Sequence, residues 1–495
     1  MENHHTGVPY ITGPIQDTVS YYLPVEIVAQ VFIHFVDSFQ PFNSWLDGIS
    51  RLRRRRVYAP PIILSAVCRN WRSIALITPE LWTCPIVKIF DARSCHTAIE
   101  VLGLWLDRSR NLPLHISFLG NSDWHRGCYS NFETFFERAK TSSKRWETLR
   151  LDMNREAWRY FLKGFTCPPS LKRIQLITPE VEEAEWEVHD PANFVLPNSD
   201  GLEELRIQNL SLDEVDIAWE NLIVFEADPW HLLNFEWLLG HAPRLKKCRI
   251  RDINGIGSGL PVHSHLEDLE LQNSSSSDLE SIIKWFTFPS LKRLVYNSGM
   301  KSSSLRLPHV NNAQMGHLQS FFVRSQCPLI ELEIQVPFGT TADLVGILAL
   351  LPSLERLTLH SCSFRCDNSA IWLSNESFEK HLKISILSRL LPQLKVFKIL
   401  DARTFSWDAL LPFLEPPHAN VTSMRNTCIY IQFALYLPSQ ERSENYIDRD
   451  VVLRLKRRER KWKGAVSLDI KHRDSGEDWM QASLDYHEQT SSILE

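Results

Sequence analysis

The chain has 495 residues and a mass of 57.5 kDa, a length that suits two to four domains, or one small domain joined to a repeat array, better than one compact core. Hydrophobic residues at 44% and charged residues at 23% exclude a largely disordered chain, a collagen and a coiled-coil rod. With 54 Lys+Arg against 59 Asp+Glu the net charge is -5, so bulk attraction to nucleic acid is not expected and any such contact needs a local basic patch.

Residues 1–20 read as a flexible tail, and Met1 to Pro9 show no basic stretch followed by an apolar run, so no secretory leader is expected. From Leu23 the pattern becomes helical. Pro24 suits a first helical turn, and apolar residues at 27, 28, 31, 32, 35 and 36 mark one amphipathic helix. Residues 37–61 form a long link holding Arg51, Arg53, Arg54, Arg55 and Arg56, which fits either a solvated loop or a nuclear-import or phosphate-binding patch. Pro60 and Pro61 restart a helix, and Ile63, Leu64, Val67, Trp71, Ile74 and Ala75 continue it from Ile62 to Leu76. Thr78, Pro79 and Glu80 then punctuate the chain before Leu81 and Trp82. Without its insert this helical pair has only about 40 residues, a size that needs a staple or a partner to cover its apolar faces.

These residues carry a resemblance. Leu23, Pro24, Glu26, Ile27, Val31 and Phe32, then Leu64, Val67, Cys68, Arg69, Trp71, Arg72, Ile74 and Ala75, then Pro79, Leu81 and Trp82 resemble an F-box. Trp105 to Ser109 followed by Pro113 to Ile116 is similar to the segment after the F-box in the F-box-like family of mushroom-forming (basidiomycete) fungi. The resemblance covers roughly residues 21–118, with the F-box itself at 21–85 and the Arg-rich loop inserted at 37–61, longer than the short turn usual there. It implies docking to the Skp-type adaptor of a cullin-RING ubiquitin ligase, with Leu23, Pro24, Ile27, Phe32, Leu64, Val67, Cys68 and Trp71 at the contact. The plainer alternative is that each is a core residue of a three-helix unit.

A Leu-x-x-Leu-x-Leu pattern recurs through the middle of the chain. It occurs at Leu171/Ile174/Leu176, Leu202/Leu205/Ile207, Leu245/Cys248/Ile250, Leu266/Leu269/Leu271, Leu291/Leu294/Tyr296, Leu329/Leu332/Ile334, Leu354/Leu357/Leu359 and Leu394/Phe397/Ile399. Trp146/Leu149/Leu151 and Leu222/Phe225/Ala227 are weaker copies. The last two positions of each share one face of a short strand. Pro-Ser-Leu at 169–171, 289–291 and 352–354 introduces several copies, and helical stretches such as Leu344 to Leu351 fill the intervals. The expected fold is therefore an α/β repeat, a small all-α N-terminal F-box followed by an irregular leucine-rich-repeat solenoid over 86–435. Copies are spaced unevenly, and the asparagine expected after each strand is replaced by Pro179, Leu210, Ile253 and Ser274, so a distorted array is expected. Residues 436–495 read as a capping element and a charged, flexible tail.

Side chains between the buried leucines project from the parallel sheet onto the concave face. Arg206, Lys247, Arg249, Arg251, Asp268, Glu270, Arg293 and Arg356 are the target-binding candidates. The alternative is that basic and acidic rungs pair across neighbouring strands and only keep the surface soluble.

No nucleotide-binding, zinc-protease or serine-hydrolase signature is present, so no catalytic residue, cofactor or metal is expected. His360, Cys362 and Cys366 lack a fourth ligand at zinc-like spacing. Ten cysteines without paired spacing suit a reducing compartment, and the apolar run from Leu344 to Leu351 is too short to cross a bilayer. The expected protein is a non-catalytic substrate receptor of an SCF-type ubiquitin ligase, cytoplasmic or nuclear. Its expected partners are the Skp-type adaptor, through it a cullin-RING ligase, and an unknown protein substrate, with neither membrane nor nucleic acid. The alternative is a leucine-rich-repeat scaffold whose F-box serves no ligase.

Overall fold

A helix with apolar residues at both i and i+1 of every fourth position has two adjoining stripes, and a small core can cover only one of them. Helix α1 (Val25–Asp37) is built this way: Val28, Phe32 and Val36 are buried, while Ile27, Val31 and Phe35 form an exposed stripe, with Leu23 exposed just before the helix. The computed structural model describes residues 22–38, 60–89, 92–120, 129–179, 193–255, 262–272, 282–297, 312–335, 341–361, 382–402, 405–414, 428–436, 446–462, 465–473 and 475–494. The expected tail 1–20, the five arginines of the insert, Cys362 and Cys366 lie outside them. The chain divides into two compact units, Met1–Gly201 and Leu202–Glu495.

In the first unit the helix expected from Ile62 to Leu76 is two helices, α2 (Pro60–Val67) and α3 (Arg69–Ile77). The break falls at Cys68, whose backbone is extended and whose thiol accepts a 3.4 Å hydrogen bond from the Trp71 N–H, the role Ser or Asp plays at a helix start. Arg72 Nε donates to the Ser65 carbonyl at 2.8 Å and ties the two ends together. Trp82 donates its indole N–H to the Ala75 carbonyl at 2.8 Å and packs edge-on against Trp105 at 5.2 Å. The helical core comprises Val28, Phe32, Val36, Leu64, Ile74, Ala75, Leu81, Trp82 and Trp105, so it continues past residue 85.

Four parallel strands follow, each separated from the next by a helix. They are β1 (Ile86–Ile89), β2 (Leu114–Gly120), β3 (Trp146–Asp152) and β4 (Arg173–Ile177), with α4 (Ala92–Arg108), α5 (Tyr129–Lys140) and α6 (Arg155–Leu162) between them. Phe118, Phe135, Phe136, Trp146, Phe161 and Phe165 fill this core, with neighbouring ring centres 4.8–6.2 Å apart. The outward side of this sheet is buried too: Ser117, Arg150, Asp152 and Gln175 are almost wholly covered, and Arg150 pairs with Asp152 at 3.1 Å.

The second unit holds a series of ten parallel strands, each paired with the next in the series. They are β5 (Glu204–Gln208), β6 (Val224–Asp228), β7 (Lys247–Arg251), β8 (Asp268–Gln272), β9 (Arg293–Asn297), β10 (Glu331–Gln335), β11 (Arg356–Ser361), β12 (Val396–Ala402), β13 (Ile429–Tyr436) and β14 (Val466–His472). Eight of the ten leucine-pattern copies read from the sequence fall on these strands and the other two on β3 and β4, and their apolar positions align in register, for example Leu269 with Leu294 and Leu294 with Leu332. Helices α7 (Leu232–His241), α8 (Asn312–Ser325), α9 (Thr341–Leu348) and α10 (Ile384–Leu390) fill intervals. Serine explains the Pro-Ser-Leu punctuation. The hydroxyls of Ser170, Ser290 and Ser353 donate to the carbonyls of Lys144, Ser264 and Leu329, each in the preceding repeat, at 2.5–2.9 Å.

Within 436–495, where the sequence points to a cap and a flexible tail, α11 (Arg449–Lys461) leads into β14, which pairs with β13 over seven residues. Helix α12 (Trp479–Leu494) follows, with Tyr446 stacked between Trp479 and Tyr486 at 5.0 and 4.3 Å. No helix among the described residues is long and apolar enough to cross a membrane.

Because Trp82 is wholly buried, donates a buried hydrogen bond and joins the helices to α4 through Trp105, Trp82→Ala should destabilise the first unit by about 3–5 kcal/mol. Chemical denaturation followed by tryptophan fluorescence and circular dichroism would measure it.

Candidate interaction surfaces

Exposed apolar area is unevenly distributed. Of the nineteen large apolar side chains exposed among the described residues, eleven lie between Tyr22 and Ile77. They include Leu23, Ile27 and Val31 on the α1 side, Ile62, Ile63 and Val67 on α2, and Leu76 and Ile77 at the end of α3. Single exposed leucines are ordinary, but a concentration on one small helical element marks an interaction site.

The eight adaptor candidates divide on this surface. Leu23, Pro24, Ile27 and Val67 are exposed, and Cys68 and Trp71 are half-buried. Phe32 and Leu64 are core residues, 2% and 4% exposed, so they shape the surface from inside and cannot present their side chains to a partner. Phe32 instead packs on Trp71, ring centres 4.8 Å apart. Val25, Ile62 and Ile63 are exposed and lie outside the motif, while Val31, a motif residue not counted among the contact candidates, is exposed too; their spacing beside the motif residues was the available signal.

The second surface is the outward face of β5–β11. Strand register aligns its side chains in three rows. One row contains Glu204, Val224, Lys247, Asp268, Arg293, Glu331 and Arg356, and the next contains Arg206, Glu226, Arg249, Glu270, Val295, Glu333 and Thr358. The third contains Gln208 and Asp228 on β5 and β6, and Arg251, Gln272, Asn297 and Gln335 on β7–β10.

Opposite charges alternate along these rows and join. Arg206 lies 2.6 Å from Glu204 and 3.5 Å from Glu226; Arg249 lies 3.0 Å from Glu226 and 2.9 Å from Glu270. Arg293 reaches Asp268 at 2.8 Å, Glu270 at 3.1 Å and Glu331 at 3.3 Å, and Arg356 closes the chain on Glu331 at 2.8 Å. Arg249 Nε is within ion-pair distance of Glu270 but off the hydrogen-bonding axis, so its strongest contact is the aligned one to Glu226. Thus six of the eight target-binding candidates are bound up in cross-strand pairing, and only Lys247 and Arg251 are outside it. A cavity of about 290 Å³ opens on this face, lined among others by Arg206, Glu226, Lys247, Arg249 and Glu270.

Partial burial tunes the charges. Desolvation raises the Glu226 carboxyl against the pull of Arg206 and Arg249. For Arg293 burial acts downward, but the hydrogen bond and charge of Asp268, with Glu270 behind it, raise the guanidinium and keep it charged. The hydrogen bond from His360, 3.0 Å away, holds Glu333 below the usual carboxylate range, with help from Asn297 at 3.1 Å.

Burial pushes the thiols of Cys84, Cys167 and Cys327 up to about 11 and moves Cys248 the same way, so these four hold their protons at neutral pH. Among the described residues no cluster of three or more His, Cys, Asp or Glu could hold a metal ion.

No protein-family model and no curated protein matches the chain. Solved structures similar to it include the yeast Rad7 and Elc1 complex, at 14% identity and a TM-score of 0.32, covering 76% of this chain and 88% of that one. A TLR13–ssRNA13 complex matches at 11% identity and a TM-score of 0.32, covering 82% of this chain and 64% of that one.

Two outcomes follow from the charged rows. Arg293→Ala strips one counter-charge from three carboxylates and should cost about 1–3 kcal/mol, whereas Arg356→Ala, half-exposed with one partner, should cost under about 1 kcal/mol by denaturant titration. The Glu333 carboxyl is lower in the folded than in the unfolded chain, so its contribution is full above the unfolded value near about 4.3 and is lost as pH falls through the folded one. The stability gap between wild type and Glu333→Gln should therefore close on acidification; a gap that widens at low pH would contradict it.

Proposed function

We propose that the chain is a non-catalytic substrate-receptor subunit of an SCF-type ubiquitin ligase, docking a Skp-type adaptor through its N-terminal helices and holding a protein target on its repeat array. The observation that carries this reading is the exposed stripe of Leu23, Ile27 and Val31 beside the exposed Ile62, Ile63 and Val67, on helices whose sequence resembles an F-box. The helices pack on one another and still leave these side chains in water, which a partner's apolar groove would relieve. The repeat array supplies a broad sheet face with ordered side chains for a second protein.

The work of such a receptor is proximity. Holding a target beside a carrier charged with ubiquitin replaces a bimolecular encounter with a local effective concentration, and the chain itself needs no reacting group. It would act in the cytoplasm or nucleus, where the ligase machinery operates.

The test is co-purification of the full chain with a Skp-type adaptor. Each apolar side chain buried at the contact contributes about 1.5–3 kcal/mol, so Ile27→Asp and Val67→Asp should each weaken binding about 10- to 100-fold. Both side chains are about half exposed, so circular dichroism should show the variants folded. Val323→Asp, an exposed apolar site on α8, should bind as wild type. Absence of adaptor binding by the intact chain would leave a leucine-rich-repeat scaffold without a ligase role.

A further inference from the structure

Unpaired positive charge collects at one place in the second unit. Helix α11 (Arg449–Lys461) has seven cations and two carboxylates in 13 residues, within a chain whose net charge is -5. Its inward side is apolar, with Val451, Val452 and Leu455 buried. Four of its charges are occupied: Arg458 donates to the Leu411 carbonyl, Glu459 accepts from the Leu468 N–H at 2.8 Å, and Asp450 lies 3.5 Å from Arg454. Arg449, Lys456, Arg457, Arg460 and Lys461 are left. None of their side chains makes an ion pair or hydrogen bond among the described residues, although the Leu410–Phe413 helix, β14 and α12 all pack against α11. Four of the five are exposed and Lys456 is half-buried.

At 3.6 residues per turn these five fall within about 140° of the helix circumference, in one strip about 18 Å long. Lys456 and Arg460, like Arg457 and Lys461, are four residues apart, and Arg457 and Arg460 are three apart, spacings at which like charges repel and weaken a helix. The helix dipole favours cations in the last turn but opposes Arg449 in the first. Folding alone therefore gives no reason for the strip, whereas an anionic partner does.

Exposure decides which anion. A lone carboxylate pairing with a solvated Arg or Lys gains little after side-chain ordering and screening, so cations without an enclosing pocket need a partner on which many charges act together. A nucleic acid duplex offers one phosphate per about 1.7 Å and releases its condensed counterions when these are neutralised. A bilayer rewards a basic helix chiefly when its apolar side sinks as well, and here that side is committed to the core. A single strand rewards aromatic side chains that stack on bases; the exposed side of α11 has none, and Trp462 is turned to the Leu414 carbonyl at 3.2 Å.

We infer that α11 is a docking strip for the phosphate backbone of a nucleic acid duplex. Phosphate contacts position a protein without reading sequence, so the strip holds duplexes of any sequence. It is independent of adaptor docking, which uses helices of the first unit.

The experiment is fluorescence anisotropy of the full chain with short labelled DNA and RNA duplexes, the matching single strand and octaglutamate, with co-sedimentation for phosphatidylserine vesicles. At low salt at least one duplex should bind, unrelated sequences should bind alike, and the tighter duplex identifies the backbone. Neutralising three to five phosphates makes affinity fall about 40- to 500-fold between about 50 and 200 mM salt. Arg457→Gln/Arg460→Gln should weaken binding about tenfold or more at low salt and lower the slope of log K against log salt by about two. Both side chains are exposed, so circular dichroism should be unchanged. Lys247→Gln, at an exposed lysine on β7, should bind as wild type. The inference is overturned by absence of duplex binding at low salt, by tighter binding of the single strand, octaglutamate or vesicles, or by an Arg457→Gln/Arg460→Gln variant with wild-type affinity and salt slope.

Discussion

Parallel pairing in chain order is the constraint on which the repeat units depend. A parallel strand leaves donors and acceptors on both edges and apolar side chains on one or both faces, so a single repeat satisfies neither requirement alone. Each copy therefore needs the next in a fixed register, and the repeating leucines set it, aligning Leu205 with Phe225, Phe225 with Cys248 and Cys248 with Leu269. The serine hydroxyls that reach back to the preceding repeat secure the same register from the turn. Within the first unit β1 has β2 as its neighbour, and the helices built around Trp82 and Trp105 join the element that follows β1. At the other terminus β14 is followed by α12, whose Trp479 is fully buried in the Tyr446 stack.

The same register decides the chemistry of the outward face. Neighbouring parallel strands lie about 4.8 Å apart, which brings Arg, Glu and Asp side chains of adjacent rows within ion-pair reach. Arg249 meets Glu226 on one side and Glu270 on the other because β7 lies between β6 and β8 with those residues aligned. Carboxylates as buried as Glu226 are tolerable only with such partners, and the desolvation that still raises Glu226 shows that the compensation is incomplete. In the first unit the equivalent face is closed, with Arg150 and Asp152 paired under cover, so the half-open charged face belongs to the second unit.

Much of this was legible in the sequence. The spacing of Leu, Ile and Phe marked ten of the fourteen large-sheet strands among the described residues, because a period of two with a leading leucine records both the strand and its incoming turn. The four missed strands lack that lead. Ile86 to Ile89 is only four residues long, and Ile429, Ile431 and Phe433, like Val466, Leu468 and Ile470, alternate without a leucine three places earlier. The break at Cys68 was hidden because the apolar spacing runs through it and a thiol is a rare helix cap. Which stripe of α1 points inward was also hidden, since 27, 31 and 35 are as apolar as 28, 32 and 36, and only packing against Trp82 and Ala75 chooses. The candidate charges all fall in the outward rows of the sheet, but most of their partners come from strands 20–40 residues away, so the pairing could be read only once the register was known.

The two surfaces differ in how they can discriminate. The helical one is apolar, and its capacity for binding scales with the area a groove removes from water, which favours one constant partner of matching shape. The sheet face has spent most of its charge on itself. A segment that tried to break the Arg293 or Arg249 pairs would have to desolvate and replace them at no net gain, so the ladder acts as a rigid, nearly neutral floor that rejects arbitrary charged ligands.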